Sequence, residues 1–122
     1  MIQATDLRVG NWVDCRNFNG TGKTIRTQFD WTLWKYLHFL DPIELSPEIL
    51  EKCGFEKYTE VPDDGIGDEL EIWNNYCIDV FFDVHGALVL KDYHVNINRP
   101  KYLHQLQNLY FALTGEELTV NL

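Results

Sequence analysis

The sequence predicts an α+β fold: an N-terminal bent sheet or small barrel, a short helix, and an antiparallel meander covered by a C-terminal helix. Two patterns carry this expectation. Apolar and polar residues alternate in short runs between turn formers over 70–98, as strands of a meander do. Leu103, Leu106, Tyr110 and Leu113 then repeat at three- and four-residue steps, which is a helical stripe. Strands in a block followed by a covering helix indicate α+β rather than a parallel α/β sheet. The 122 residues, 45% apolar and 14% aromatic, suit one domain with an ordinary core. Its expected parts are a bent sheet over 1–41, a capped helix within 42–55, the meander over 70–98 and the covering helix over 99–115.

Taken in order, Asp6 to Val13 alternates apolar and polar residues around Gly10-Asn11, so a short strand is expected there. Asn17 to Gly22 is dense in turn formers, and Asn19-Gly20 is a hairpin signal that returns Lys23 to Phe29 as a second strand. Trp31 to Leu40 is ambiguous, because Trp31, Trp34, Leu37 and Leu40 suit a helical stripe while the aromatic content suits a strand. A strand ended by Asp41-Pro42 is the favoured reading. The helix over 47–53 is well marked. Ser46 is an N-cap, Pro47 fits the first turn, Glu48 and Glu51 lie near the positive end of the dipole, and Leu45 can staple onto Leu50. Gly54 stops it, with Phe55 folding back on the last turn. Residues 59–69 carry one proline, two glycines and five acids, an exposed loop. After Leu70–Trp73, one strand face gathers Ile78, Val80, Phe82 and Val84 and the other Asp79, Phe81 and Asp83, which predicts one buried and one wet face. Ala87–Leu90 and Tyr93–Ile97 complete the meander. Asn98 or Arg99 is the expected cap of the last helix, and Gly115 its end.

Charge is unevenly placed. The net charge is −9, yet residues 1–35 hold five bases against three acids, whereas 36–92 hold three bases against fourteen acids. Duplex nucleic acid and anionic membranes would meet a repulsive field. No apolar run approaches a membrane span, and Met1 to Asp6 has neither a basic nor an apolar leader. A soluble cytoplasmic protein is expected. Three cysteines without a C-x-x-C pair, Cys15, Cys53 and Cys77, read as free thiols, with Cys53 and Cys77 on apolar patterns.

Leu7-Arg8-Val9-Gly10-Asn11-Trp12-Val13 and the run from Tyr102 to Leu118 (YLHQLQNLYFALTGEEL) resemble a family of small proteins encoded by Bacteroidetes-group bacteria and their phages and prophages. Pro42 to Phe55 is similar to that family's central segment. The resemblance covers about a third of the chain and leaves 14–41 and 56–98 unmatched. It implies the same order of small barrel-like sheet, short helix, meander and terminal helix. It implies no catalytic residues.

Catalytic patterns are weak. Gly20-Thr21-Gly22-Lys23-Thr24 imitates a phosphate-binding loop, but Asn17 stands where its first glycine belongs, and a poor helix former follows. A hairpin explains it better. His38, His85, His94 and His104 show no metal-ligand spacing, and His104 falls off the leucine stripe, as a helix-surface residue would. The acids of 63–69 lack calcium-loop order. Asp79 and Asp83 read as solvated carboxylates, and the lone Ser46 is a cap. No metal, cofactor or enzymatic activity is expected.

What remains is aromatic and basic. Arg26, Trp31, Trp34, Lys35 and Tyr36 lie within eleven residues, with Lys23 and Arg16 nearby. Indole and phenol rings can stack on a base while Arg and Lys contact phosphate. The competing account places both tryptophans in the core or at a subunit contact. With the resemblance, this segment suggests a non-enzymatic phage or mobile-element protein that sequesters a small anionic nucleotide signal of host immunity. A homo-oligomer is expected by analogy. The alternative is an acidic inhibitor or adaptor whose face from Glu44 to Asp83 engages a basic protein partner.

Overall fold

Two antiparallel sheets share the C-terminal helix of this chain. The computed structural model describes residues 7–16, 22–61, 70–75, 77–83, 85–90 and 99–122, without the Trp34 side chain. The Asn19-Gly20 turn, most of the acidic loop and the Tyr93–Ile97 run lie outside the described residues.

The first sheet is three-stranded, in the order β2 (Ile25–Gln28), β1 (Trp12–Cys15), β3 (Leu40–Asp41). The β1–β2 register runs from Trp12 opposite Gln28 to Cys15 opposite Ile25. This is the expected pairing, and Lys23 therefore leads into a strand, where a phosphate-binding loop would lead into a helix. The first strand begins later than its sequence pattern suggests, because Val9-Gly10 forms a turn. The sheet stays open, so the α+β class holds and the small-barrel form does not. Its core gathers Leu7, Val13, Cys15, Phe29, Leu33 and Leu40.

The favoured strand over Trp31 to Leu40 is corrected. Trp31–Phe39 forms 3₁₀ turns broken at Tyr36 (φ −101°, ψ 15°), and only Leu40–Asp41 is strand. Asp30 decides the start: its carboxylate accepts the Thr32 amide at 2.8 Å and the Thr32 hydroxyl, a cap that extended backbone would forgo.

Helix α1 (Pro47–Lys52) matches its sequence signals. Ser46 Oγ accepts the Ile49 amide at 3.3 Å. At the other end Gly54 sits at φ +83° while the Gly54 and Phe55 amides bond to Glu51 and Leu50 carbonyls, a Schellman closure. Leu45 and Leu50 are buried in one cluster.

The second sheet has the order β4 (Glu56–Glu60), β5 (Leu70–Asn74), β6 (Asp79–Phe82), β7 (Leu88–Leu90). Strand β4 had no clear sequence signal; EKYTE is a polar, mostly exposed strand at one end of the sheet. Trp73, Ile78, Val80, Leu88 and Leu90 face the main core. The opposite face is not simply wet, because Ile72 there is fully buried and Phe81 and Val89 are half-buried.

Helix α2 (Leu103–Thr114) starts after Tyr102, not at Asn98 or Arg99, and Gln105 Oε1 accepts the Lys101 and Tyr102 amides. Gly115 ends it at φ +75°. Leu103, Leu106 and Tyr110 enter the main core, each leucine contributing about 1.5–3 kcal/mol. The neighbouring stripe faces the first sheet. Gln107 Oε1 accepts the Trp12 amide at 2.8 Å and Gln107 Nε2 donates to the Gly10 carbonyl at 3.2 Å. Asn11 Nδ2 and Arg8 Nε both donate to Asn108 Oδ1, at 2.9 and 2.8 Å. Arg8 also pairs with Glu117 at 2.8 Å and lies 4.6 Å over the Phe111 ring.

Replacing Gln107 by Leu keeps bulk but leaves the Trp12 amide without its side-chain partner, while the Gly10 carbonyl keeps the Gln28 side-chain amide at 3.2 Å. We expect a loss of about 1–3 kcal/mol, read as a lower urea midpoint at unchanged m value. An unchanged midpoint would show that this amide does not hold the sheet to the helix.

Candidate functional site

The aromatic–basic segment is built on the 3₁₀ turns. A repeat of three residues per turn buries Leu33 and half-buries Tyr36, and the break at Tyr36 lets Leu37 and Leu40 follow into the same core. Trp31, at the first position, is carried outward. Its indole is 68% exposed and meets Phe29 edge-on, with centroids 5.9 Å apart. Lys35 is exposed, with its ammonium 5.2 Å from the centre of the Tyr36 ring. The Trp34 side chain lies outside the described residues. Lys23 is exposed just ahead of β2.

The arginines are arranged differently from a phosphate cradle. Arg26 stands on the outer face of β2 and bonds through Nε to Asp14 at 3.1 Å, directly across the register. Arg16 pairs with Asp41 at 2.6 Å and donates to the His38 carbonyl at 3.1 Å. With Arg8 on Glu117, all three arginines of the basic third are in ion pairs. The structure thus brings Lys35 and Tyr36 together, presents Trp31 openly, and turns Arg26 toward an acid. Asp30, which anchors this segment, has its pKa held below the usual carboxylate range, chiefly by the Thr32 hydroxyl and amide.

Several other expectations change. His104 is only 3% exposed, not a surface residue, and stacks on Tyr102 at 6.1 Å; α2 is covered on two sides, so its buried arc is wider than the leucine stripe. Asp79 is held by Asn74 Nδ2 and, at 3.4 Å, by the Tyr58 hydroxyl. Asp83 is not simply solvated: it caps the β6–β7 turn, accepting the His85 and Ala87 amides at 2.8 and 3.0 Å, and pairs with Arg99 at 3.0 Å. Desolvation opposes its ionised form, but these bonds outweigh it and hold the pKa below the usual range. Among the described residues no group of three or more His, Cys, Asp or Glu could hold a metal ion, and no described helix is long and apolar enough to cross a membrane.

The turn around His85 and Gly86 also borders a cavity of about 290 Å³ lined by Glu44, Leu45, His85, Gly86, Lys101 and Tyr102. Sequence reasoning missed it because its lining comes from three separate connections. No protein-family model, curated protein or solved structure matches the chain.

The thiols separate cleanly. Burial pushes the Cys53 thiol up to about 12, and burial, with Asp41 nearby, raises Cys15. Cys77 is exposed rather than part of an apolar face. A thiol-reactive disulfide reagent at pH 8 is expected to label one cysteine quickly in the folded protein and three in denaturant, with Cys77→Ser removing the fast phase. The raised Cys53 value has a fixed sign for stability. Its contribution is present below the unfolded thiol pKa and is lost as pH rises from about 9 toward 12, so Cys53→Ala should flatten the alkaline fall in stability.

Proposed function

We propose that this is a non-enzymatic binding protein whose ligand stacks on Trp31, with Lys35 supplying a cationic contact. The observation that carries this reading is the 68% exposure of Trp31 in a segment whose Leu33, Tyr36 and Leu37 pack toward the first core. An open indole offers a stacking face to a purine or pyrimidine, and stacking of this kind contributes about 1–3 kcal/mol per base. The ligand class is a small anionic nucleotide-like molecule. With the family resemblance, the role is counter-defence in a bacterial host cytoplasm, by sequestering a nucleotide immune signal. Since Arg26 is paired with Asp14, Lys35 carries more of the charge contact than Arg26.

The test is incubation with a panel of cyclic and adenine-based signalling nucleotides, followed by heat release and chromatography. Recovery of unchanged ligand supports sequestration, and recovery of a cleaved product makes the protein an enzyme. Trp31→Ala should weaken binding by about 1–3 kcal/mol while stability moves by no more than about 0.5 kcal/mol. Lys35→Ala should weaken binding more than Arg26→Ala. Loss of fold in Trp31→Ala, or equal binding by all three variants, overturns the assignment.

A second reading has one specific support: strand β4, at the end of its sheet, exposes Glu56 and Tyr58 on one face. This suits an acidic inhibitor of a basic protein. Capture of one host protein at low salt and its loss at high salt would favour it over nucleotide binding.

A further inference from the structure

The cavity of about 290 Å³ between the β3–α1 connection, the β6–β7 turn and the lead-in to α2 is separate from the Trp31 reading and has its own chemistry. We propose that it is a binding site for a small zwitterion, a free α-amino acid with an apolar or aromatic side chain. Its volume is at the lower end of ligand pockets, which suits a molecule of that size.

The cavity brings unlike charges together without letting them satisfy one another. Glu44 and Lys101 both line it, and among the described residues neither side-chain charge is held in an ion pair or hydrogen bond. The His85 imidazole, on the facing turn, likewise has no side-chain partner there. A phosphate would gain Lys101 but meet the Glu44 carboxylate. A zwitterion answers both: its ammonium donates to Glu44, and its carboxylate accepts from Lys101 and His85. The half-buried Tyr102 ring supplies the apolar face that the ligand side chain meets, over the buried Leu45.

The backbones that carry these groups are fixed in advance. The Glu44–Tyr102 bridge and the 2.9 Å bond from the Leu45 amide to the Lys101 carbonyl tie two walls together. Gln105 Oε1 holds the Lys101 and Tyr102 amides. On the third wall, Asp83 gathers the His85 and Ala87 amides, and Gly86 takes φ +82°, a conformation that L side chains rarely adopt. The Tyr102 ring is backed by the stacked His104 imidazole. Anchored walls lower the ordering cost of binding.

Titration of the ¹⁵N-labelled protein with L-phenylalanine is the test. Saturable shifts of the His85, Gly86, Lys101 and Tyr102 amides are expected, with a Kd on the order of 1 mM, because the charges are solvent-open. Phenethylamine, which lacks the carboxylate, and 3-phenylpropionate, which lacks the ammonium, should each bind about tenfold more weakly. Glu44→Gln and Lys101→Met should do the same while leaving the thermal midpoint and nucleotide retention unchanged. The proposal is overturned by the absence of a saturable shift at about 10 mM phenylalanine, ten times the expected Kd. It is equally overturned by shifts that survive both substitutions, or by AMP moving the same amides more strongly than phenylalanine does.

Discussion

A cluster of side-chain amides joins the two halves of the structure, with Gln107 at its centre. In β1, alternate backbone groups face opposite ways. The Asn11 carbonyl turns toward β2 and accepts from Phe29, so the Trp12 amide points to the other edge. There β3 is only two residues long and pairs with Asp14 and Cys15 alone. Gln107 fills the gap by accepting from Trp12 and donating to Gly10, much as a peptide group of a neighbouring strand would. Asn11, 1% exposed, extends the clamp by accepting the Arg8 amide at 2.6 Å and donating to Asn108. A buried polar network of this kind is stabilising only when its members are satisfied together, which gives the sheet and the helix one relative placement.

The clamp also bears on charge. Its outer member, Arg8, faces Glu117, and the same pattern repeats along the sheet in Arg16–Asp41 and Arg26–Asp14. Each arginine reaches an acid distant in sequence or across a strand, so a basic excess counted over residues 1–35 does not become a basic surface. Near Trp31 the surface is marked by the exposed indole and the exposed Lys35, not by arginine.

Legibility in the sequence follows the range of the interactions. The cap, proline, staple and Schellman glycine of α1 act within ten residues of chain, and all could be read from Leu45 to Phe55. The leucine stripe of α2 was equally plain. Its second face was not, because Gln107 and Asn108 are polar letters whose partners lie about a hundred residues away. His104 misled for the same reason: only tertiary cover from both sides buries it. Strand β4 has no apolar alternation because most of its side chains are exposed, so periodicity had nothing to report. The cavity is assembled from Glu44, His85 and Lys101, and no local spacing records that meeting. For Trp31 to Phe39 the signal was present but outweighed: Asp30 followed two residues later by Thr32 is a local cap, and the aromatic content spoke louder.

The 3₁₀ turns determine how Trp31 and Lys35 stand to solvent. In a strand, Trp31, Leu33, Lys35 and Leu37 would share one face, and burying the leucines would draw both the indole and the ammonium inward. A lysine on that buried face would carry a desolvation cost with no acid to offset it. With three residues per turn, Leu33 and Tyr36 fall on the inner side while Trp31 and Lys35 fall outside it. The break at Tyr36 then shifts the phase so that Leu37 and Leu40 return to the core, where a continued repeat would have offered Phe39, which stays exposed. The aromatic and the cation reach solvent together because the chain turns by threes up to Tyr36, and the core stays closed because the repeat resumes beyond the break in a new phase.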